Sequence, residues 1–450
     1  MRISIVFVLL LLSTITQLRA QFGFVQVKGR VVDEEGLSLP YVNISLKEDR
    51  SIGTYSNSLG EFEIHLSTSA NTDSLVFSSI GYENTVIGIG SVQSSAISII
   101  LKSKAYILNE VVITPDTATA IVKRGIDLLR KNLASENNIL QGFYREVIRS
   151  NNTYDRLIEA AVDVFDKGYT TPKKEHDATK DHDLEFKIRE IRKSNDYQDL
   201  DWEQSIMNYI KPRNGLYGSI ESLFFNDYIR NNGAYYNLLM NAPINEDFFK
   251  HSLLTVDSMI NYENEPVWCI GIQHQPSIAS GQLLPYGTIY IRSRDYAIIQ
   301  MTFETRVNPR ATSDFSVPDE RFLHKTIIKY REYHGKMYLS LLYRKSFRFS
   351  VNSAKSRKAR AAGKRDGHLF YELLFVTNEI ITEKDKVSAF KRKERITKNI
   401  DLYSATWNYN EAFWKNYNAV NERPLAPNAK KDIERESALD EQFKKNGSNP

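Results

Sequence analysis

The residues best able to do chemistry are six cations in one short stretch: Lys355, Arg357, Lys358, Arg360, Lys364 and Arg365, with no acid before Asp366. They lie between two long alternating runs and read as a protruding hairpin tip. The plain account is a solvated loop; the functional one is attraction to anionic lipid headgroups or lipopolysaccharide at a membrane surface. His176-Asp177 and His182-Asp183 pair imidazole with carboxylate, as a divalent metal site does. Lys173, Lys174 and Lys180 surround them and disfavour a bound cation, so this stretch reads as a solvated loop. His251, His274, His324 and His334 fall on separate strand-like runs, where a lone histidine is usually an edge or surface residue. Glu159 and Asp163 share one strand face but stand roughly 13 Å apart, too far for a paired acid and base. A polar sheet face accounts for them. Cys269, inside the apolar run Val267-Trp268-Cys269-Ile270, reads as a buried, inert thiol. Gly88-Ile89-Gly90 meets Gln93 where a dinucleotide loop needs a third glycine, and no metalloprotease, nucleophile-elbow or phosphate-loop motif occurs. No catalytic residue, cofactor or metal is expected.

These residues belong to a chain of 450 with 59 Lys+Arg against 55 Asp+Glu, and the net charge of +4 gives no reason to expect nucleic acid or an acidic substrate. A single cysteine excludes a disulfide scaffold within the chain and any multi-cysteine metal site. Met1-Arg2, an apolar run over 3–12 and a small residue at Ala20 together read as a signal peptide over residues 1–20. The apolar run is about half of the ~20 residues that a membrane span needs. With no cysteine near the cut, no lipid anchor is expected. The product is expected to be exported, either periplasmic or associated with the outer membrane, and away from nucleic acid.

Residues 21–103 contain seven short apolar or alternating runs, at 24–32, 41–46, 51–55, 61–66, 74–79, 85–89 and 96–101. Turn formers such as Asp33-Glu34-Glu35-Gly36 and Asn71-Thr72-Asp73 separate them. This spacing predicts a seven-stranded β-sandwich. In the fourth run Phe62, Ile64 and Leu66 should face one way, with Glu61, Glu63 and His65 the other. Gly29-Arg30-Val31-Val32-Asp33, Gly36, Pro40, Val42, Ile44, Gly60-Glu61-Phe62 and Gly81-Tyr82, in that order, resemble the carboxypeptidase regulatory-like domain. That family is a transthyretin-like sandwich of exported Gram-negative proteins. Thr54-Tyr55-Ser56-Asn57 stands where it usually carries Thr-Asp or Thr-Asn. The resemblance implies an accessory domain and supplies no peptidase.

A linking strand follows over 104–116. Its Leu108-Asn109-Glu110-Val111-Val112-Ile113-Thr114 resembles the segment after the same sandwich in TonB-dependent outer-membrane transporters, which pairs with an energising partner. Leu108, Glu110, Val111, Val112 and Ile113 are thus candidates for pairing with an envelope protein partner, the alternative being a plain connecting strand. Length decides against a transporter, because a barrel of about 22 strands at ~10 residues each needs more chain than remains.

Residues 117–425 predict a β-rich α+β domain. A helix is expected over 117–133, strands over 140–149 and 157–165, a loop over 168–183, and helices over 202–210 and 216–225. Strands then dominate, at 287–291, 297–305, 322–334, 336–349 and 369–376. Their length points to a large curled antiparallel sheet with helices packed on one side, so the chain as a whole is mainly β, of the α+β class. Gly287-Thr288-Ile289-Tyr290-Ile291 and Tyr296-Ala297-Ile298-Ile299 resemble the half-barrel of lipoprotein carriers. That implies an alternative function, in which a dry cleft lined by Ile299, Met301, Phe303, Leu339 and Leu341 carries a lipophilic ligand. The competing account is that this face packs on the helices. Gly142-Phe143-Tyr144-Arg145-Glu146, Glu159-Ala160-Ala161-Val162 and Phe413-Trp414-Lys415-Asn416-Tyr417 look like an envelope family that couples such a domain to the sandwich, and bring no activity. The stretch 402–417, with Trp407, Tyr409, Phe413, Trp414 and Tyr417, reads as an aromatic strap, and 426–450 as a terminal helix over 429–443 with a tail. The expected role is that of a non-enzymatic envelope protein that binds or scaffolds.

Overall fold

The computed structural model describes residues 24–92, 96–104, 115–150, 153–169, 184–197, 220–224, 226–230, 249, 252–274, 283–307, 324–349, 368–396, 402–403, 405, 407–420 and 427–447. The expected signal peptide and the expected helix over 202–210 lie outside them.

Seven strands form the N-terminal sandwich. β1 (Phe24–Val32), β4 (Glu61–Ser67) and β7 (Ile97–Ile100) make one sheet in the order β4-β1-β7, with β1 and β7 parallel. β2 (Asn43–Leu46), β3 (Gly53–Tyr55), β5 (Ser74–Ser78) and β6 (Thr85–Gly88) make the other, in the order β3-β2-β5-β6. The alternation read in β4 holds: Phe62, Ile64 and Leu66 are buried, while Glu61, Glu63 and His65 are half-buried. Phe62 meets Phe77 of the facing sheet edge-on, their centroids 5.1 Å apart. Gly60 precedes β4 with φ +77°, and a Cβ there would lie 2.5 Å from the Val31 carbonyl oxygen. Only glycine fits that turn.

Ten antiparallel strands form the second sheet: β8 (Asn138–Ser150), β9 (Thr153–Asp166), β10 (Leu184–Lys193), β11 (Ser252–Tyr262), β12 (Glu265–His274), β13 (Leu283–Arg292), β14 (Ile298–Val307), β15 (His324–Tyr333), β16 (Lys336–Phe349) and β17 (His368–Ile381). The order is β10-β9-β8-β17-β16-β15-β14-β13-β12-β11, and the sheet is not closed. Sequence neighbours pair throughout except β10 and β11, which form the two edges, and β17 joins the two runs by pairing with both β16 and β8.

Both faces of this sheet are covered. On one, helices α1 (Pro115–Asp127), α2 (Leu129–Asn132) and α3 (Ile220–Phe224) bury Ala118, Val122, Leu223 and Phe224 against Tyr144, Val162, Ile289 and Met301. The expected helix over 117–133 is thus interrupted at Leu128, whose backbone leaves the helical region. The opposite face carries the sandwich, the strap with its short helix α4 (Glu411–Trp414), and helices α5 (Pro427–Ile433) and α6 (Leu439–Asn446). Helices therefore flank the sheet on both sides rather than one. The single terminal helix expected over 429–443 is two, and the buried Gln442 amide fills the break by donating to the carbonyls of Ile433 (2.8 Å) and Ser437 (2.7 Å).

This covering alters two readings. Glu159 and Asp163 do not form a solvated polar face. Glu159 is buried and accepts Arg192 Nε at 2.6 Å, with Arg145 at 3.8 Å, and Trp414 stacks 4.1 Å from the Arg192 guanidinium. Second, a β-bulge at Ser340 breaks the alternation of β16: Lys329 pairs with Leu341 and Tyr330 with Leu339, leaving Ser340 unpaired in the register. Leu339 and Leu341 therefore join cores on opposite faces and cannot line one cleft.

Candidate functional site

Neither group of residues chosen from the sequence falls where the structure describes it. The pairing strand, with Leu108, Glu110, Val111, Val112 and Ile113, and the basic run, with Lys355, Arg357, Lys358, Arg360, Lys364 and Arg365, lie outside the described residues, as do His176 and His182. His324 bonds Ser346 Oγ through Nδ1 at 3.2 Å, and His334 stacks on Tyr333 at 3.9 Å. Cys269 is half-buried, and burial pushes its thiol above the usual range, away from a nucleophile. Among the described residues no three metal-binding side chains converge. Of the proposed lipid cleft, Ile299, Met301, Phe303 and Leu339 are buried core, and Tyr228 packs edge-on against Phe303 at 4.9 Å.

What the structure adds is a seam between the sandwich and the large sheet. Tyr55 Oη and Ser340 Oγ are 2.7 Å apart, so the bulge of β16 presents its hydroxyl to the sandwich. Arg331 is fully buried and donates through Nη2 to the carbonyls of Ser51 (3.0 Å) and Thr377 (3.4 Å), one on each side. Lys329 Nζ reaches the Tyr41 carbonyl at 2.7 Å, and the Ile380 amide donates to Ser51 O at 3.1 Å. Arg50 pairs with Glu263. Burial draws the Arg331 guanidinium below its usual range and pushes the Tyr55 phenol up to about 12. Tyr55→Phe is expected to lower unfolding stability by about 1 kcal/mol, read by urea denaturation. An unchanged midpoint would mean that the hydroxyl pair contributes nothing to the seam.

Beside this seam opens a cleft of ≈ 820 Å³, walled by the sandwich on one side and by β8, β10, β17 and the strap on the other. Two β-bulges supply its sheet-side polar groups. Arg189 is the extra residue of β10, between Ile188 and Glu190, and Asn378 is the extra residue of β17, between Thr377 and Glu379. A bulge re-aims the side chain it carries and tends to sit beside sites. Arg189 donates to Gln141 Oε1 at 3.0 Å, and its guanidinium lies 5.7 Å from the Phe413 ring centroid. Phe413 and Tyr417 stack with centroids 5.0 Å apart. Tyr417 Oη donates to Gly142 O at 2.6 Å, anchoring the strap where a Cβ would meet the Phe375 ring at 2.5 Å. Asn418 accepts the His65 amide at 2.6 Å and takes Asn378 Nδ2 on its carbonyl at 2.7 Å. From the sandwich come Glu48, Asp49 and Asp73, and at the outer end Phe24, 52% exposed.

The electrostatics of the cleft favour hydrogen-bond donors. Asn378 is only 6% exposed, and its Oδ1 has no hydrogen-bond partner among the described residues. Burial pushes the Glu379 carboxyl above its usual range, and the nearby Asp49 adds to the effect. No nucleophile, base and orienting group meet here among the described residues. The sequence reading missed the cleft because bulges do not show in a period-two pattern. Its one visible signal was the crowding of aromatics over 402–417, read there as packing.

No curated protein matches the chain. Among solved structures, a DUF1329 family protein from Desulfovibrio piger is 7% identical, covering 60% of this chain and 95% of its own at a TM-score of 0.23. The complex structure of Pseudomonas aeruginosa MucA/MucB is 9% identical, covering 59% and 99% at 0.17. Likenesses at this level carry no argument. The family model of the CarboxypepD_reg-like domain matches residues 27–113, from the sandwich into the linking stretch. The motifs, the two packed sheets and this match agree, and the N-terminal part of the chain is a carboxypeptidase regulatory-like domain.

Proposed function

We propose that this is an exported, non-enzymatic protein of the cell envelope, periplasmic or at the outer membrane, with a binding or scaffolding role. The observation that carries the proposal is the seam: Arg331, Tyr55 and Lys329 fix the sandwich to the large sheet and leave a shared cleft where no catalytic set meets among the described residues. Export is read from residues 1–20, and no described helix is long and apolar enough to cross a membrane. In this reading the linking strand pairs with an envelope protein partner, and the run from Lys355 to Arg365 meets anionic headgroups. The test is a pull-down from envelope fractions with residues 106–114 intact and deleted. Loss of one specific partner on deletion is the expected result, and identical capture by both forms removes the pairing role. A hydrolase or transferase activity of the pure protein, abolished by a point substitution, would sink the non-enzymatic reading.

A further inference from the structure

We propose that the cleft between the sandwich and the large sheet is the binding site of a neutral oligosaccharide. The inference rests on the binding role proposed above and names its ligand class. A volume of ≈ 820 Å³ falls within the range of about 300–1,000 Å³ for small-ligand sites and accommodates several sugar rings.

Two features of the lining select the ligand. The first is aromatic. Phe413 and Tyr417 form a stacked pair in the strap wall, and Phe24, 52% exposed, stands at the outer end. Pyranose rings present a flat face of C–H groups to such surfaces, burying apolar area without stranding a hydroxyl. The second is a surplus of acceptors. Glu48, Asp49, Asp73 and Glu379 line the cleft and bring carboxylate oxygens to it. Anionic ligands meet four like-charged groups. Fatty chains would leave every acceptor dry. A polycation would satisfy the carboxylates but meets Arg189 in the same wall, between Phe413 and Gln141. A ligand with many hydroxyl donors and apolar ring faces answers both features.

The experiment is isothermal titration of the chain lacking residues 1–20 with maltohexaose, cellohexaose, xylohexaose, mannohexaose and chitohexaose, alongside pentalysine and oligogalacturonate. At least one neutral hexasaccharide should bind at micromolar to millimolar concentration. Phe24→Ala and Glu379→Gln should each weaken it by about tenfold. Phe24 is exposed enough that its substitution should leave the melting temperature unchanged, which separates lost contact from lost fold. The inference is overturned if no neutral hexasaccharide binds at millimolar concentration, if pentalysine or oligogalacturonate binds in their place, or if neither variant weakens the sugar. The envelope pull-down with the same variants separates the two proposals. A partner retained without sugar binding removes the oligosaccharide alone. Cleavage of a bound hexasaccharide supports the site and removes the non-enzymatic reading.

Discussion

Asp227→Ala should cost about 3–5 kcal/mol of unfolding stability. Asp227 is fully buried, just beyond α3, and several groups converge on its carboxylate. Oδ2 accepts the Tyr169 hydroxyl at 2.5 Å, and Oδ1 accepts the Tyr330 hydroxyl at 3.1 Å. The amides of Ile229 and Arg230 donate to Oδ1 at 3.2 and 3.3 Å. Arg230 lies beside it, grips Asp166 with both terminal nitrogens (3.0 and 2.6 Å) and stacks 4.0 Å from the Tyr169 ring. Burial, with the Asp227 charge next, drives the Tyr169 and Tyr330 phenols well above their usual range, so both remain donors at any ordinary pH. Removing the carboxylate strands two buried hydroxyls and leaves a buried guanidinium with one counter-charge where it had two. Tyr330→Phe removes one donor only and should cost about 1 kcal/mol. Urea midpoints of the two variants make the comparison, and equal losses would show that the carboxylate is not the hub of this cluster.

The second large effect concerns Lys329 and pH. Its ammonium is enclosed at the seam with one acceptor among the described residues, the Tyr41 carbonyl, and burial lowers it to about 8 from the usual lysine value. The folded state therefore releases this proton more readily than the unfolded chain, in which lysine titrates near about 10.4. Between these values the unfolded state binds more protons, so stability rises with pH through that window. Below pH 8 both states are charged, and the cost of enclosing the ammonium is borne in full. Lys329→Met should thus stabilise the protein at pH 7 by about 2 kcal/mol, after allowing about 1 kcal/mol for the lost bond to Tyr41. It should also abolish the alkaline rise. Cys269, whose thiol burial pushes up, works in the opposite direction above its unfolded value, but it is common to both proteins and cancels in their difference. Denaturation curves from pH 7 to 10 decide the matter. A difference between the two proteins that stays constant across the series would exclude Lys329 as the titrating group.

The sandwich was legible in the sequence because its information is local. The alternation of Phe62, Ile64 and Leu66 against Glu61, Glu63 and His65 needs only neighbouring residues, and so does the glycine turn before it. The long strands of the second sheet were legible for the same reason. The seam was not. Arg331 and Lys329 read as ordinary strand cations because their acceptors, the carbonyls of Ser51 and Tyr41, are remote in sequence. The bulges at Arg189, Ser340 and Asn378 escaped notice because one inserted residue changes which face follows without altering composition. The aromatics of the strap were found, but whether Phe413 and Tyr417 fill a core or wall a cleft depends on what the sandwich leaves uncovered.

The return of β17 between β16 and β8 has a consequence in time. Phe143, already paired with Ala161 on β9, finds its second neighbour only when Val376 arrives, so β8–β10 and β11–β16 cannot join until nearly the whole domain has emerged. Closing so long a loop before its contacts form makes folding slow, and the waiting edges of β8 and β16 are exposed meanwhile. Under the export proposed above, that delay would keep the chain unfolded during passage. It also predicts the hazard: chains stopped before residue 368 would hold two half-sheets with open edges, and should aggregate where the full chain does not.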